Sequence, residues 1–585
     1  MPFGRPSIPT ATYRLQLNAG FTFADAKAVV PYLARLGISH VYSSPILEAR
    51  PGSAHGYDIV DHNAINPELG GRAGFEDFFR TLDRYGMQLI LDIVPNHMGI
   101  GQANSWWMDV LENGQASIFH GFFDIDWYPL KQELTGKVLV PVLGEHYGVV
   151  LAAGELCLVF DAEKGAFHLV YYEHRFPVSP RTYPDVLSLN IARLETRLGA
   201  DDPDLQRLQS LLTAFRNLPD RHRTPHAARK ERYRDQELHK RSLARLCAER
   251  VEIREHVERA VGLVNRVDPD SAGESGLHLL LEKQVYRLAS WRVATDEINY
   301  RRFCDINDLI ALRMENPAVE QKTHLLIDEL IVGGRIAGVR IDHPDGLKDP
   351  RKYLERFVRV FGAERALVGP CASGESRAPA APLVYVEKIL ASHERLPESW
   401  PVQGTTGYDF CAQLNGLFVA QEAELSLTQT YQRFVGQKAD FDQQHYESKK
   451  LIIRTSLSSE LSGLARQLSQ LSERDLCGRD FTLNALRDAL SEVVACFPVY
   501  RTYIDEDGPS EVDRSHVEWA IDRAKKASPA AEPTIFDFLR EVLLLDRSRK
   551  DVARMIRDLR FDEVASEKAK KRRFRVRPQN EAGLN

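Results

Sequence analysis

Gly338-Val339-Arg340-Ile341-Asp342 and, further along, Leu383-Val384-Tyr385-Val386-Glu387 decide how this chain is read. Each is a short apolar run that ends on a carboxylate. Side chains alternate across a strand, so Gly338, Arg340 and Asp342 share one face while Val339 and Ile341 share the other. By the same rule Tyr385 and Glu387 oppose Val384 and Val386. Outer aliphatic residues with inner charges at the C-terminal strand end fit a β/α barrel, which carries its chemistry there.

Working outward from these two strands, Thr12-Tyr13-Arg14-Leu15-Gln16, His40-Val41-Tyr42-Ser43 and Leu89-Ile90-Leu91-Asp92-Ile93-Val94 read as three earlier strands. Between them, Val29, Val30, Leu33 and Leu36 mark a helix over 24–36. Phe75, Phe78, Phe79, Leu82 and Tyr85 mark a second. This β-α-β-α-β order predicts parallel strands joined by right-handed crossovers. Residues 336–342 form the fourth strand, a helix follows near 351–361, and 383–387 form the fifth. Phe497-Pro498-Val499-Tyr500-Arg501-Thr502-Tyr503-Ile504 reads as the sixth. No seventh or eighth strand is recognisable. The fold class is therefore α/β, a TIM-type (β/α) barrel incomplete at its C-terminal strands.

Insertions interrupt the barrel. Val138-Leu139-Val140, Leu156 to Phe160 and Phe167 to Tyr172 are short runs between Gly-containing turns, a small antiparallel β insertion. Residues 185–285 are charged and helical, and Arg229-Lys230-Glu231-Arg232 is most simply a solvated helix face. The division is 1–105 first part of the barrel, 106–182 β-rich insertion, 183–285 helical insertion and 286–411 barrel with strands four and five. A second helical insertion (412–495), the sixth strand with following helices (496–546) and a basic tail (547–585) complete it.

The 585 residues, 43% hydrophobic, suffice for a large core, and a net charge of −6 with mixed signs gives no reason to expect nucleic acid or a membrane. Seven scattered cysteines without metal-type spacing predict reduced thiols in a cytoplasm, with neither disulfides nor zinc. No cofactor or metal motif appears, and no obligate protein partner is evident.

Two carboxylates on adjacent strand ends can reach the separation of about 5–5.5 Å used by retaining glycosidases. Asp342 is the expected nucleophile, kept ionised by Arg340. Glu387 is the expected acid/base, its pKa raised by its neighbour and by partial burial. An Arg340–Asp342 pair taken alone is equally readable as a structural ion pair. Asp92 can pair with Arg340 in the interior, His97 can meet sugar hydroxyls, and Tyr57 with Asp58 offers an aromatic face beside a carboxylate. Singly, His97 and Tyr57 also read as core residues, and Trp106, Trp107 and Trp127 read better as packing.

Together these segments resemble the α-amylase clan, glycoside hydrolase family 13. Asp92-Ile93-Val94-Pro95-Asn96-His97, Gly338 to His343 and Val386-Glu387 look like its first three conserved regions, in order and each at a strand end. Within the clan, Thr12 to Gln16, Ser44 to Leu47 with Gly52 to Asp58, Ile298 to Phe303, Ile341 to Leu347, Val386 to Leu390, Gly404 to Phe410 and Phe497 to Tyr503 are similar to the branch that forms maltooligosyl trehalose. That resemblance implies transfer of a maltooligosaccharide's reducing-end α-1,4 bond to an α,α-1,1 bond. It adds His343 and Lys388 to Tyr57, Asp58, His97 and Arg340 as substrate-binding residues, and Asn96 to Asp92 as supporting ones. The implied partner is a maltooligosaccharide or glucan. The alternatives are a 4-α-glucanotransferase or amylase-type hydrolase, and an inactive glucan-binding remnant. The likeness fades after Leu545-Asp546, where the family's strand-seven aspartate has no counterpart. The expectation is a truncated chain with no residue assigned to a third acid.

Overall fold

The computed structural model describes residues 8–221, 225–267, 273–368, 383–438, 440–505 and 507–545. The basic tail proposed for 547–585 lies outside them. Six parallel strands run in sequence order: β1 (Thr12–Leu15), β2 (His40–Ser43), β3 (Gln88–Ile93), β4 (Gly338–Ile341), β5 (Leu383–Val386) and β6 (Gly404–Thr405). This is the strand order of a β/α barrel left open, with β1 paired to β2 and β6 to β5 at its two edges.

The connecting helices bury aliphatic and aromatic stripes against the sheet. Helix α1 (Phe23–Arg35) begins where Asp25 accepts from both the amide and the hydroxyl of Thr22 at 2.8 Å, a reciprocal cap that satisfies otherwise orphaned donors. Its Phe23 packs on Phe75 and Phe78 of α2 (Gly71–Arg84), with ring centroids 5.7 and 6.1 Å apart. Helices α3 (Pro317–Val332) and α4 (Pro350–Val368) flank β4. Val339, Ile341, Val384 and Val386 are wholly buried, as the alternation required. Gly338 is needed for the pairing of β4 with β5, because a Cβ there would stand 2.5 Å from the Leu383 Cβ.

Two strand assignments change. Residues 497–504 form no strand. They run as an irregular strap that buries Val499, Arg501 and Ile504, and Pro498 lacks the N–H that a ladder would use. The sixth strand is instead Gly404–Thr405, whose two residues pair with Tyr385 and Val386. A two-residue strand has no periodicity to read. Val138–Leu143 does not join the antiparallel insertion either. It pairs in parallel with Tyr286–Ser290, while the antiparallel sheet consists of Cys157–Asp161, Ala166–Tyr171 and His174–Pro177.

The helical stretches predicted around 185–285 and 412–495 are helical, from Tyr183–Leu187 through Gly276–Glu282 and from Tyr408–Gly416 through Leu483–Cys496. A large core joins the barrel to the first insertion, and a separate apolar cluster of helical residues spans Ile452 to Leu544. Trp106, Trp107 and Trp127 are packing residues, each at most 9% exposed. Among the described residues the six cysteines are free, no cluster of side chains could hold a metal ion, and no helix is long and apolar enough to cross a membrane.

Candidate active site

The backbone ladder continues one residue beyond β4 and β5 and delivers the two carboxylates. Asp342 N donates to the Ile93 carbonyl at 2.8 Å, and Glu387 N to the Ile341 carbonyl at 2.9 Å. Register places Arg340 directly opposite Asp92 on one side and Tyr385 on the other. Its guanidinium reaches Asp92 at 2.6 Å, Asp342 at 2.7 Å and Glu387 at 3.0 Å. Burial disfavours a charge on Arg340, but these three carboxylates outweigh it and hold the guanidinium firmly protonated.

Asp92 is an anchor and not a reacting group. One of its oxygens takes Arg340. The other accepts from Tyr57 at 2.6 Å, Tyr42 at 3.0 Å and Arg14 at 3.2 Å. With that many donors the carboxylate is satisfied, and it fixes Arg340 and the Tyr57 hydroxyl in place.

Asp342 and Glu387 both contact the Arg340 guanidinium and so face each other across one small site. Their proton affinities are the reverse of the sequence expectation. Asp342 is pushed well above the usual carboxylate range by burial and by the facing charges of Glu387 and Asp92, against the pull of Arg340. For Glu387, burial is the largest effect and opposes ionisation. Arg340, the neighbouring Asp342 carboxyl and the His343 N–H together overcome it and hold Glu387 below its ordinary value. The difference has a geometric cause. The Asp342 side chain is 7% exposed and that of Glu387 22%, and Glu387 also accepts from the His343 N–H at 3.1 Å and the Tyr408 hydroxyl at 3.2 Å. In the ligand-free site Asp342 is therefore held toward its protonated form and Glu387 toward its ionised form.

An aromatic row closes one side. The His97 ring lies 4.6 Å from Phe303, Phe303 lies 5.1 Å from His343, and His343 lies 5.9 Å from Tyr500. Burial, with His343 nearby, pushes the His97 imidazole down to about 3, so it is neutral. A neutral imidazole suits hydrogen bonding to uncharged hydroxyls. Asn96 accepts from Arg301 at 3.1 Å, and Arg301 also donates to the Gly346 carbonyl at 3.3 Å, tying the loops after β3 and β4 together.

Asp342, Glu387, Arg340, Asp92, Tyr57, His343 and His97 thus converge. Two other predicted residues do not. Asp58 turns back into its own loop and accepts from Ser53 at 2.5 Å. Lys388 points away: its ammonium is wholly buried between Asp345 and Glu394, because alternation sends it to the face opposite Glu387. Sequence reasoning missed Arg14, Tyr42, Phe303 and Tyr408. The first two were findable, since Arg14 and Tyr42 stand opposite each other in register on β1 and β2.

Comparison with known proteins follows the same outline. Residues 27–169 match the family model for the α-amylase catalytic domain. A putative maltooligosyl trehalose synthase of Mycobacterium tuberculosis is 32% identical over 426 residues, covering 72% of this chain and 40% of the relative. The solved maltooligosyltrehalose synthase from Arthrobacter ramosus is 30% identical with a TM-score of 0.65, over 94% of this chain and 55% of that one. An intracellular maltogenic amylase of Bacillus subtilis matches more locally, at 36% identity over 102 residues, 17% of this chain. The chain therefore spans about half the length of the synthases it resembles.

Proposed function

We propose that this chain, an α-amylase-type β/α protein similar to maltooligosyl trehalose synthases, rearranges the reducing end of a maltooligosaccharide by intramolecular transglycosylation. The observation that carries the reading is the pair of carboxylates, Asp342 and Glu387, held by one Arg340 guanidinium at the C-terminal ends of adjacent parallel strands.

A sugar entering between the two acids separates them, and a proton passes from Asp342 to Glu387. Asp342 then attacks the anomeric carbon while the bond to the terminal glucose breaks, and Glu387 gives its proton to the departing O4. Arg340 stays protonated beside both groups and stabilises the Asp342 carboxylate as it is unmasked. In the return step the freed glucose presents its anomeric hydroxyl. Glu387 takes that proton as the new C1–O1 bond forms and Asp342 departs, which leaves an α,α-1,1 linkage. His97, Tyr57 and His343 line the reacting sugar. Water must stay out while the glycosyl-enzyme waits. The substrate class is a linear α-glucan, and the dispersed free thiols support a cytoplasmic setting.

Incubation with maltohexaose tests the reaction. Reducing ends should disappear with little release of glucose. New reducing ends would point to hydrolysis, and a ladder of longer chains to 4-α-glucanotransfer; either result rejects the transglycosylation proposed.

A further inference from the structure

Behind the carboxyl pair lies a second charged cluster that the reaction does not use. The Lys388 ammonium, with no exposed side-chain surface, sits 3.1 Å from Asp345 and 2.9 Å from Glu394. Tyr503 donates its hydroxyl to the other Asp345 oxygen. Arg501 donates to the backbone carbonyls of Asp345 at 2.9 Å and Leu347 at 2.7 Å. Trp400 packs on Tyr503 with ring centroids 4.8 Å apart. The Lys388 ammonium thus answers two carboxylates directly, and Arg501 adds a second positive charge, held on the Asp345 and Leu347 carbonyls. The cluster is buried and hydrogen-bonded, as such a cluster must be.

The position of the cluster matters more than its strength. Lys388 is the residue after Glu387. Asp345 and Leu347 belong to the turn after Asp342, and in that turn His343 takes a left-handed backbone conformation, φ 42° and ψ 58°. A residue with a Cβ holds that conformation only where its surroundings over-determine it. The conformation directs the His343 N–H onto Glu387 at 3.1 Å. Gly346 completes the turn, since a Cβ there would collide with Asn96 and His343. Resting on the transglycosylation reading, we infer that Lys388 is a positioning residue, whose ammonium cross-links the turn after β4 to the loop after β5 and so holds Glu387 on the His343 N–H, opposite Asp342. The strap at 497–504, through Arg501 and Tyr503, is the outer clamp of the same brace.

Two variants of the full chain test this. K388M strips two buried carboxylates of their cation and also threatens folding. Y503F removes one hydroxyl and leaves every charge in place. With maltohexaose, kcat should fall about tenfold in Y503F and about a hundredfold in K388M, because small misplacement of a reacting group is costly. KM should hardly change, since neither side chain reaches the sugar. Infrared titration of the carboxyl pair supplies a readout that a merely structural role would not move. Arg340, Asp342, His343 and Tyr408 face Glu387, and loosening the His343 N–H should move its titration in Y503F to higher pH. Unchanged kcat and unchanged titration in a folded Y503F would overturn the brace, whatever happens to its melting temperature. If the unmodified chain fails to consume reducing ends, that strikes the proposed reaction alone. The infrared comparison then still decides: a shift supports the brace and no shift rejects it.

Discussion

The strand ends of β3, β4 and β5 and the helices Tyr408–Gly416 and Glu424–Val435 come from one chain and obey opposite rules of burial. At the strand ends, charged groups that water would normally solvate are sealed in: Asp92, Arg340, Asp342 and Lys388 are each at most 6% exposed. In the second helix and just after the first, side chains that water would normally reject stand in the open, with Leu417, Phe418 and Phe434 at 80, 84 and 89% exposed. Neither helix buries a single residue. The lesson is that burial follows the availability of partners and not residue type. Arg340 can be buried because three acidic side chains answer it, whereas Phe434 stays out because the described residues do not cover it.

The contrast can be broken by mutation. The largest effect is expected for Asp342→Asn, which should cut transglycosylation by about four orders of magnitude or more, as for other covalent nucleophiles, while maltohexaose still binds. Turnover within tenfold of the parent chain would disqualify Asp342 as the nucleophile. Next is Arg340→Met, which leaves Asp92, Asp342 and Glu387 without their shared cation and should cost about 3–5 kcal/mol in denaturant unfolding. A smaller cost would mean that Arg14 suffices for Asp92.

A third variant sharpens the comparison through pH. The raised pKa of Asp342 means that its stabilising contribution is present below the unfolded value, about 3.9, and is lost as pH rises through the folded value. Asp342→Asn should therefore be more stable than the parent at neutral pH, by about 0.5–2 kcal/mol. The advantage should vanish on acidification below the ordinary carboxylate range. A constant difference at all pH values would contradict an Asp342 held toward its protonated form. Smallest is Phe434→Ser, expected to change unfolding free energy by no more than about 0.5 kcal/mol. A large destabilisation would show that this ring packs against something in solution.

Some of this was readable before any coordinates. The inward-facing Arg340 and Asp342 follow from a period of two, and that period survives any tertiary arrangement in which β4 is a strand. Val339 and Ile341 were assigned to the outer face for the same reason. The failures occur where local pattern stops carrying information. Val138–Leu143 has the composition of its antiparallel neighbours, yet its partner is Tyr286–Ser290, far along the chain. Phe497–Ile504 has the apolar and aromatic composition of a strand, but it buries Val499, Arg501, Thr502 and Ile504 as a strap without a ladder.

By itself the amino-acid sequence determined the strand order, the two acids that end adjacent strands and the arginine between them, because alternation and helical spacing are local properties of the backbone. Only the tertiary structure decided which acid is held toward its protonated form, where the Lys388 ammonium goes and which two residues make the sixth strand. Those outcomes depend on distances and burial among groups far apart in the chain: Asp92 and Arg340, Asp345 and Lys388, and Tyr503 with both. No pattern along the chain encodes such distances.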